Sequence, residues 1–285
     1  MDSEVEKFIN ERISLLERQY NLIVLLWSLR GSIDIGIYRN NSDLDILFLF
    51  KNKGNNKCSA IHDIIRHGVG HGIELWGWNI YDALETVCQN TKMFYRNVKA
   101  PISNISLSKE HARGSLTYYF GLFCALGNKN IGGNKFFLSK MDPLLRQIVE
   151  KRILMNHILE GVNNKVEKIY ATGLLSENEY LYTVWRILLA KHVYNQGLPG
   201  ESNMAILINK YGEGIKSDVL NLITKYRYSM AKHAQQYEIP SINSFICNEY
   251  SYIAEIAFKL TPEKDECFDD GILKLKILSD NSLTV

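Results

Sequence analysis

Apolar residues at Val5, Phe8, Ile9, Ile13 and Leu16 recur at intervals of three and four, which predicts an amphipathic helix over residues 3–19. Two unbroken apolar runs follow, at 22–27 and 44–50, each of a length that suits a buried strand. Residues 51–57 are rich in Asn and Lys and predict a polar loop. Residues 58–67 predict a helix packed on the sheet, and 72–78 a third strand, apolar apart from Glu74. Asn79 is placed as a helix N-cap with Asp82 in the first turn and Ala83, Leu84 and Val87 turned inward. This block closes near Pro101.

The rest of the chain predicts helices. One runs from Ser108 to just before Gly127, and another from Asp142-Pro143 to about Gly161, with proline where its missing N–H is harmless. Ser176 and Glu179 have capping-box spacing, and Gly197 with Pro199 marks that helix's stop. Ser217 and Ser241 are further candidate starts. Residues 272–278 partly alternate apolar and basic side chains, so the tail from 264 is read as an edge strand or a loose end. The expected fold class is α+β, with a short mixed sheet in an N-terminal domain at 1–105 and a helical domain at 106–285.

Composition narrows the classes. The chain has 285 residues, of which 46% are hydrophobic, enough for a large core and against global disorder. A net charge of +2 leans mildly against long nucleic acid. No apolar run reaches the length of a membrane span, and the start, Met1-Asp2-Ser3-Glu4, is unlike a signal peptide. The five cysteines are scattered and lack metal-site spacing, which fits reduced thiols and a cytoplasmic location.

Asp43 and Asp45 open the second apolar run, and strand alternation puts both on one face. They are either solvated at a strand end or paired for a purpose, since close carboxylates repel and burying them without a cation is unfavourable. Mg²⁺ takes hard oxygen ligands and shares them with substrate phosphates. Gly31-Ser32 follows the first run, where a glycine-serine turn brings backbone N–H groups and a hydroxyl close to an anion. Glu74 is either an edge-strand acid in water or a third carboxylate facing the same cleft. Three such groups can hold two metal ions.

Other features read more simply. His67 and His71 flank a glycine turn, read as a loop rather than a metal site. Residues 127–135 are Gly-rich but lack a phosphate-loop ending and are read as a mobile linker between helices. Trp76 and Trp78 share the Glu74 face and are assigned to packing. The tyrosines from Tyr226 to Tyr252 are too dispersed for a binding box. Arg186, on the capped helix, is either a phosphate contact or a surface ion-pair partner.

The run Gly31-Ser32, Gly36, Ser42, Asp43, Asp45, followed by Glu74 just before Gly77-Trp78-Asn79, resembles the DNA-polymerase-β-like nucleotidyltransferase superfamily and, within it, the YcgL-like predicted nucleotidyltransferases. Ala100-Pro101-Ile102 and Tyr180, Tyr182 and Arg186 echo later elements of that branch. Ile33 stands where the branch has Arg. The resemblance implies transfer of a nucleoside monophosphate, AMP from ATP, to an acceptor that is a small molecule, a protein or an RNA. It implies Mg²⁺ or Mn²⁺ held by Asp43, Asp45 and Glu74, with Gly31, Ser32, Ser42 and Arg186 binding the nucleotide. Two alternatives stay open: a catalytically silent nucleotide-binding or regulatory module, and a glycosyltransferase using Asp43 and Asp45 on a nucleotide-sugar.

Overall fold

The computed structural model describes residues 3–39, 42–54, 58–67, 71–82, 131–133, 137, 139–140, 151–197, 201–229, 235–260, 274 and 277–278. Helix α1 (Ser3–Tyr20) leads into strand β1 (Leu22–Arg30), short helix α2 (Gly31–Ile35), and strands β2 (Leu44–Asn52), β3 (Ala60–His67) and β4 (His71–Asn79). Strand β5 (Ile131–Gly133) comes next, then α3 (Lys151–Thr172), β6 (Leu175–Ser176) and α4 (Glu177–Gln196). Helices α5 (Met204–Tyr211) and α6 (Lys216–Tyr228), strand β7 (Gln236–Tyr237) and helix α7 (Pro240–Lys259) complete the order. The class is α+β.

Five strands form a mixed sheet in the order β3-β4-β2-β1-β5. β1 is antiparallel to β2 and β5, β2 is parallel to β4, and β3 with β4 makes an antiparallel hairpin that closes at His67 and His71. Alternation sorts the side chains. Ile46, Phe48, Phe50, Leu75 and Ile61 face one way and bury against Ile9, Ile13 and Leu16 of α1, as the helical periodicity predicts. Leu49 and its β4 partner Trp78 face the other way, into a core shared with α3–α7. A bulge between Val24 and Leu26 adds a residue to β1, so Leu25 and Leu26 both enter that second core.

Helix α4 is buried nearly all round, through Tyr180, Leu181, Val184, Trp185 and Leu188, and it touches α3, α5, α6 and α7. A helix apolar on every side is a central one. Its start is fixed by the predicted capping box. The Ser176 hydroxyl accepts from Glu179 N–H, and Ser176 N–H donates to the Glu179 carboxylate at 2.9 Å. Lys165 and Lys168 of α3 add ion pairs at 2.8 and 2.9 Å, and these hydrogen bonds outweigh burial and hold Glu179 down to about 2. Glu179→Ala is expected to lower stability by about 1–2 kcal/mol at pH 7, the pairs being partly solvated. Because the folded-state value is depressed, the wild-type advantage is present above the ordinary carboxylate range and vanishes as pH falls through about 2. Urea melts of both proteins at neutral and strongly acid pH measure this.

Several expectations need correction. Residues 58–67 do not form a helix: β3 alternates, with Ile61 and Ile65 turned toward the α1 core and His62 and Ile64 exposed. The Gly-rich stretch is not a linker between helices throughout, since Ile131–Gly133 pairs with β1. Gly132 lies under the Trp27 indole, where a Cβ would come within 2.6 Å of Nε1, so its bareness serves close approach rather than mobility.

Helix α3 does not stop at Gly161 but continues to Thr172. Helices α6 and α7 start at Lys216 and Pro240, one residue before Ser217 and Ser241, and α7 opens on proline. In the tail Lys274, Ile277 and Leu278 are helical rather than extended, and Leu278 packs on the core while Ile277 is exposed. The readings for Ala83, Leu84 and Val87, for Pro101, for the helix from Ser108 and for Asp142-Pro143 lie outside the described residues. No helix among the described residues is long and apolar enough to cross a membrane.

Candidate functional site

Asp45 and Glu74 are register partners on the parallel strands β2 and β4. Partners in a ladder project from the same face, so the two carboxylates stand side by side. Asp43 lies two residues earlier, and its Oδ1 accepts from Gly72 N–H at 3.1 Å, which ties it to the start of β4. All three predicted acids therefore share one end of one face. Burial, then the charge of Glu74, then that of Asp43, push Asp45 up to about 6.

The other predicted residues border this end. Gly31 is not in a free turn: β1 passes straight into α2, with Gly31 at φ +65°. The Asp45 carboxylate lies directly over its Cα, where any side chain would collide with it. Ser32 accepts the Ile37 N–H through its carbonyl, at 2.9 Å. Ser42 braces the loop into β2, its hydroxyl accepting from Arg39 N–H at 2.8 Å and its own N–H donating to Arg39 at 3.1 Å. Arg186, on α4, is turned toward α3. Its guanidinium lies over Gly161 of α3, where a Cβ would come within 2.9 Å of Nε.

The helical half nonetheless faces the acids. Tyr182, one turn before Arg186 on α4, has its hydroxyl pushed up by burial, by Tyr226 and by Asp45, and pulled down by Arg186. The α2 segment is fastened to the same half. Ser202 donates to the buried Asp34 at 3.1 Å, Arg227 donates to the Gly36 carbonyl at 3.0 Å, and Arg39 stacks on Tyr226.

Two residues of the site escaped the sequence reading. Arg30 is the β1 partner of Asp45 and lies 3.7 Å from Asp34, so a cation borders the acids although Ile33 is apolar. Its place just before Gly31 was the available signal. His62 bonds Glu74 Oε1 at 2.9 Å and stacks on Trp76 with centroids 3.8 Å apart. It was hidden by reading β3 as a helix, because Ile61, Ile64 and Ile65 stand at helical spacing.

Chemically, this is a set of hard oxygen donors crowded enough to resist full ionisation, which suits Mg²⁺ or Mn²⁺ better than a soft metal. One oxygen of Asp43 and one of Glu74 are engaged by Gly72 and His62. Among the described residues no three His, Cys, Asp or Glu side chains are gathered tightly enough to hold a metal ion. Cys58 and Cys247 are free thiols. The chain matches no family model, no curated protein and no solved structure.

Proposed function

We propose that the chain is a metal-dependent nucleotidyltransferase that moves a nucleoside monophosphate, AMP from ATP, onto an acceptor and releases pyrophosphate. The observation that carries this reading is the register of Asp45 with Glu74, beside Asp43 and against Gly31. The choice of ATP rests on the family resemblance. A divalent cation, when bound, would neutralise phosphate charge and lower the barrier to attack. Asp43, Asp45 and Glu74 are the residues that would hold it, after drawing closer together than they stand here.

The chain's own groups divide the remaining work. Gly31 and Ser32 present backbone and hydroxyl donors to the β- and γ-phosphates, and Ser42 keeps Asp43 and Asp45 in place. Arg30 borders the same end and complements phosphate charge. Arg186 approaches from α4. The acceptor's oxygen or nitrogen forms a bond to the α-phosphorus while the bond to the α,β-bridging oxygen breaks, its electron pair leaving with pyrophosphate. The acceptor proton passes to Glu74 and on to water.

A second reading, a nucleotide-binding module that performs no transfer, is favoured by the two engaged oxygens on Asp43 and Glu74. One experiment separates the two. The protein is incubated with α-labelled nucleoside triphosphates, Mg²⁺ or Mn²⁺ and a cell extract, with Asp43→Ala and Asp45→Ala alongside. Label moving onto an acceptor in the wild type alone supports transfer. Nucleotide binding without transfer supports the module, and equal labelling by all three proteins ends the proposal.

A further inference from the structure

We infer that Asp34 is a positioning residue of the acid site, holding Arg30 off Asp45 so that the Asp45 carboxylate stays available to a divalent cation. Ser202, from the helical half, fixes Asp34 for that task. This inference rests on the proposed role of Asp43, Asp45 and Glu74 as cation ligands and adds the residues that keep that role open.

The sheet register brings one cation and two acids into a single row. Arg30 on β1 is the partner of Asp45 on β2, and Asp45 is the partner of Glu74 on β4. Partners in a ladder project from one face, with Cβ atoms about 5 Å apart. An arginine directly opposite an aspartate is placed to close a cross-strand ion pair, with two parallel N–H bonds where the geometry allows. A guanidinium seated on Asp45 would neutralise that carboxylate, and a metal ion would first have to displace it.

Arg30 turns instead to Asp34, four residues on in α2, with Nη1 3.7 Å from Oδ2. The side chains of the pair are 14% and 4% exposed, so solvent and salt screen it little. The other oxygen of Asp34, Oδ1, accepts the Ser202 hydroxyl at 3.1 Å, from 168 residues along the chain. Ser202 is itself fixed, because its carbonyl accepts the Trp185 indole N–H of α4 at 2.8 Å. Asp34 therefore cannot follow Arg30 toward the sheet without giving up a buried bond to the helical half. The Asp45 carboxylate lies over the bare Cα of Gly31. Two carboxylates thus compete for one arginine. Asp34 is buried and Asp45 only half-buried, and an unpaired carboxylate is costlier the deeper it lies, so Asp34 takes the arginine.

The test is a melting cycle on the full-length protein without metal, together with Mn²⁺ titrations followed by the EPR signal of the free ion. In Asp34→Asn the guanidinium is expected to move to Asp45. Asp45→Asn should then change the melting temperature less favourably in the Asp34→Asn background than in wild type, by about 2–4 °C. Adding Arg30→Gln to that background should abolish the difference. Asp34→Asn should bind Mn²⁺ about tenfold more weakly than wild type, and Asp34→Asn with Arg30→Gln should recover the wild-type affinity to within about threefold. An ion pair that merely ties α2 to β1 predicts equal effects of Asp45→Asn in both backgrounds, and that result overturns the inference. Unchanged Mn²⁺ affinity in Asp34→Asn overturns it too. If Asp34→Asn does not fold, Ser202→Ala replaces it in both measurements, with smaller shifts of the same sign expected, and no shift is equally fatal. If wild type binds no Mn²⁺, the metal-ion reading fails, and the melting cycle alone decides whether Asp34 holds Arg30 off Asp45.

Discussion

Asp45→Asn is expected to melt a few degrees above wild type at pH 7.5 and to lose nucleotidyl transfer by a factor of about a thousand or more. The two effects have one origin. Burial beside Glu74 and Asp43 raises Asp45 to about 6, against about 3.9 for an unfolded aspartate. The folded protein therefore binds more protons than the unfolded chain between those values, so stability falls as pH rises through that window. Two pH units correspond to about 3 kcal/mol. Partial solvation of the carboxylate reduces this to about 1–2 kcal/mol.

Asparagine has nothing to ionise, so its advantage is full above pH 6 and absent below about pH 4. A divalent cation reverses the comparison. Mn²⁺ should raise the melting temperature of wild type at pH 7.5 by mass action and leave Asp45→Asn almost unmoved. Melting curves at pH 4, 6 and 7.5, with and without Mn²⁺, measure all of this without any acceptor. A variant that melts below wild type at pH 7.5 would show that Asp45 is better solvated or better paired than its surroundings imply.

Gly31→Ala is expected to remove at least a hundredfold of activity and about 2–3 kcal/mol of stability. Part of the loss is conformational, because φ +65° is unfavourable for alanine by about 1 kcal/mol. The remainder is the collision of the new methyl with the Asp45 carboxylate. A double-mutant cycle separates them. In an Asp45→Gly background the collision partner is gone, so Gly31→Ala should there lose only the conformational part. A coupling of about 1–2 kcal/mol between the positions is the expected result. Additive losses would show that the carboxylate does not lie over Gly31.

Local chemistry was readable where one residue type leaves few options. The α1 stripe, the apolar runs of β1 and β2, the capping box of α4 and the Asn79 cap, which accepts from Tyr81 N–H at 2.9 Å, all follow from short-range pattern. Asp43 and Asp45 on a common face follow from alternation alone. The meeting of Asp45 with Glu74 does not. It requires β4 to insert beside β2 in parallel, with β3 displaced to the edge, and strand order is a matter of long-range pairing that a linear pattern leaves undetermined.

Misreadings arose where two physical causes give the same letters. Glycine at 132 reads as freedom when its cause is the indole of Trp27. Likewise Gly161 resembles a helix stop, yet it marks where Arg186 crosses α3. Helix α5 passed unseen because its cap, Asn203, comes only four residues after Pro199, in the punctuation that follows α4.

The pairing of β5 with β1 bears on how the protein can be made and divided. Residues 131–133 must find a strand that emerged about a hundred residues earlier, so the outer border of the sheet closes late during synthesis, after a slow search over a long intervening chain. Until then β1 offers bare amide and carbonyl groups along Leu26, Trp27 and Ser28 to any extended segment nearby. A fragment cut at residue 105 would keep that hazard permanently, and self-association through β1 is its natural failure.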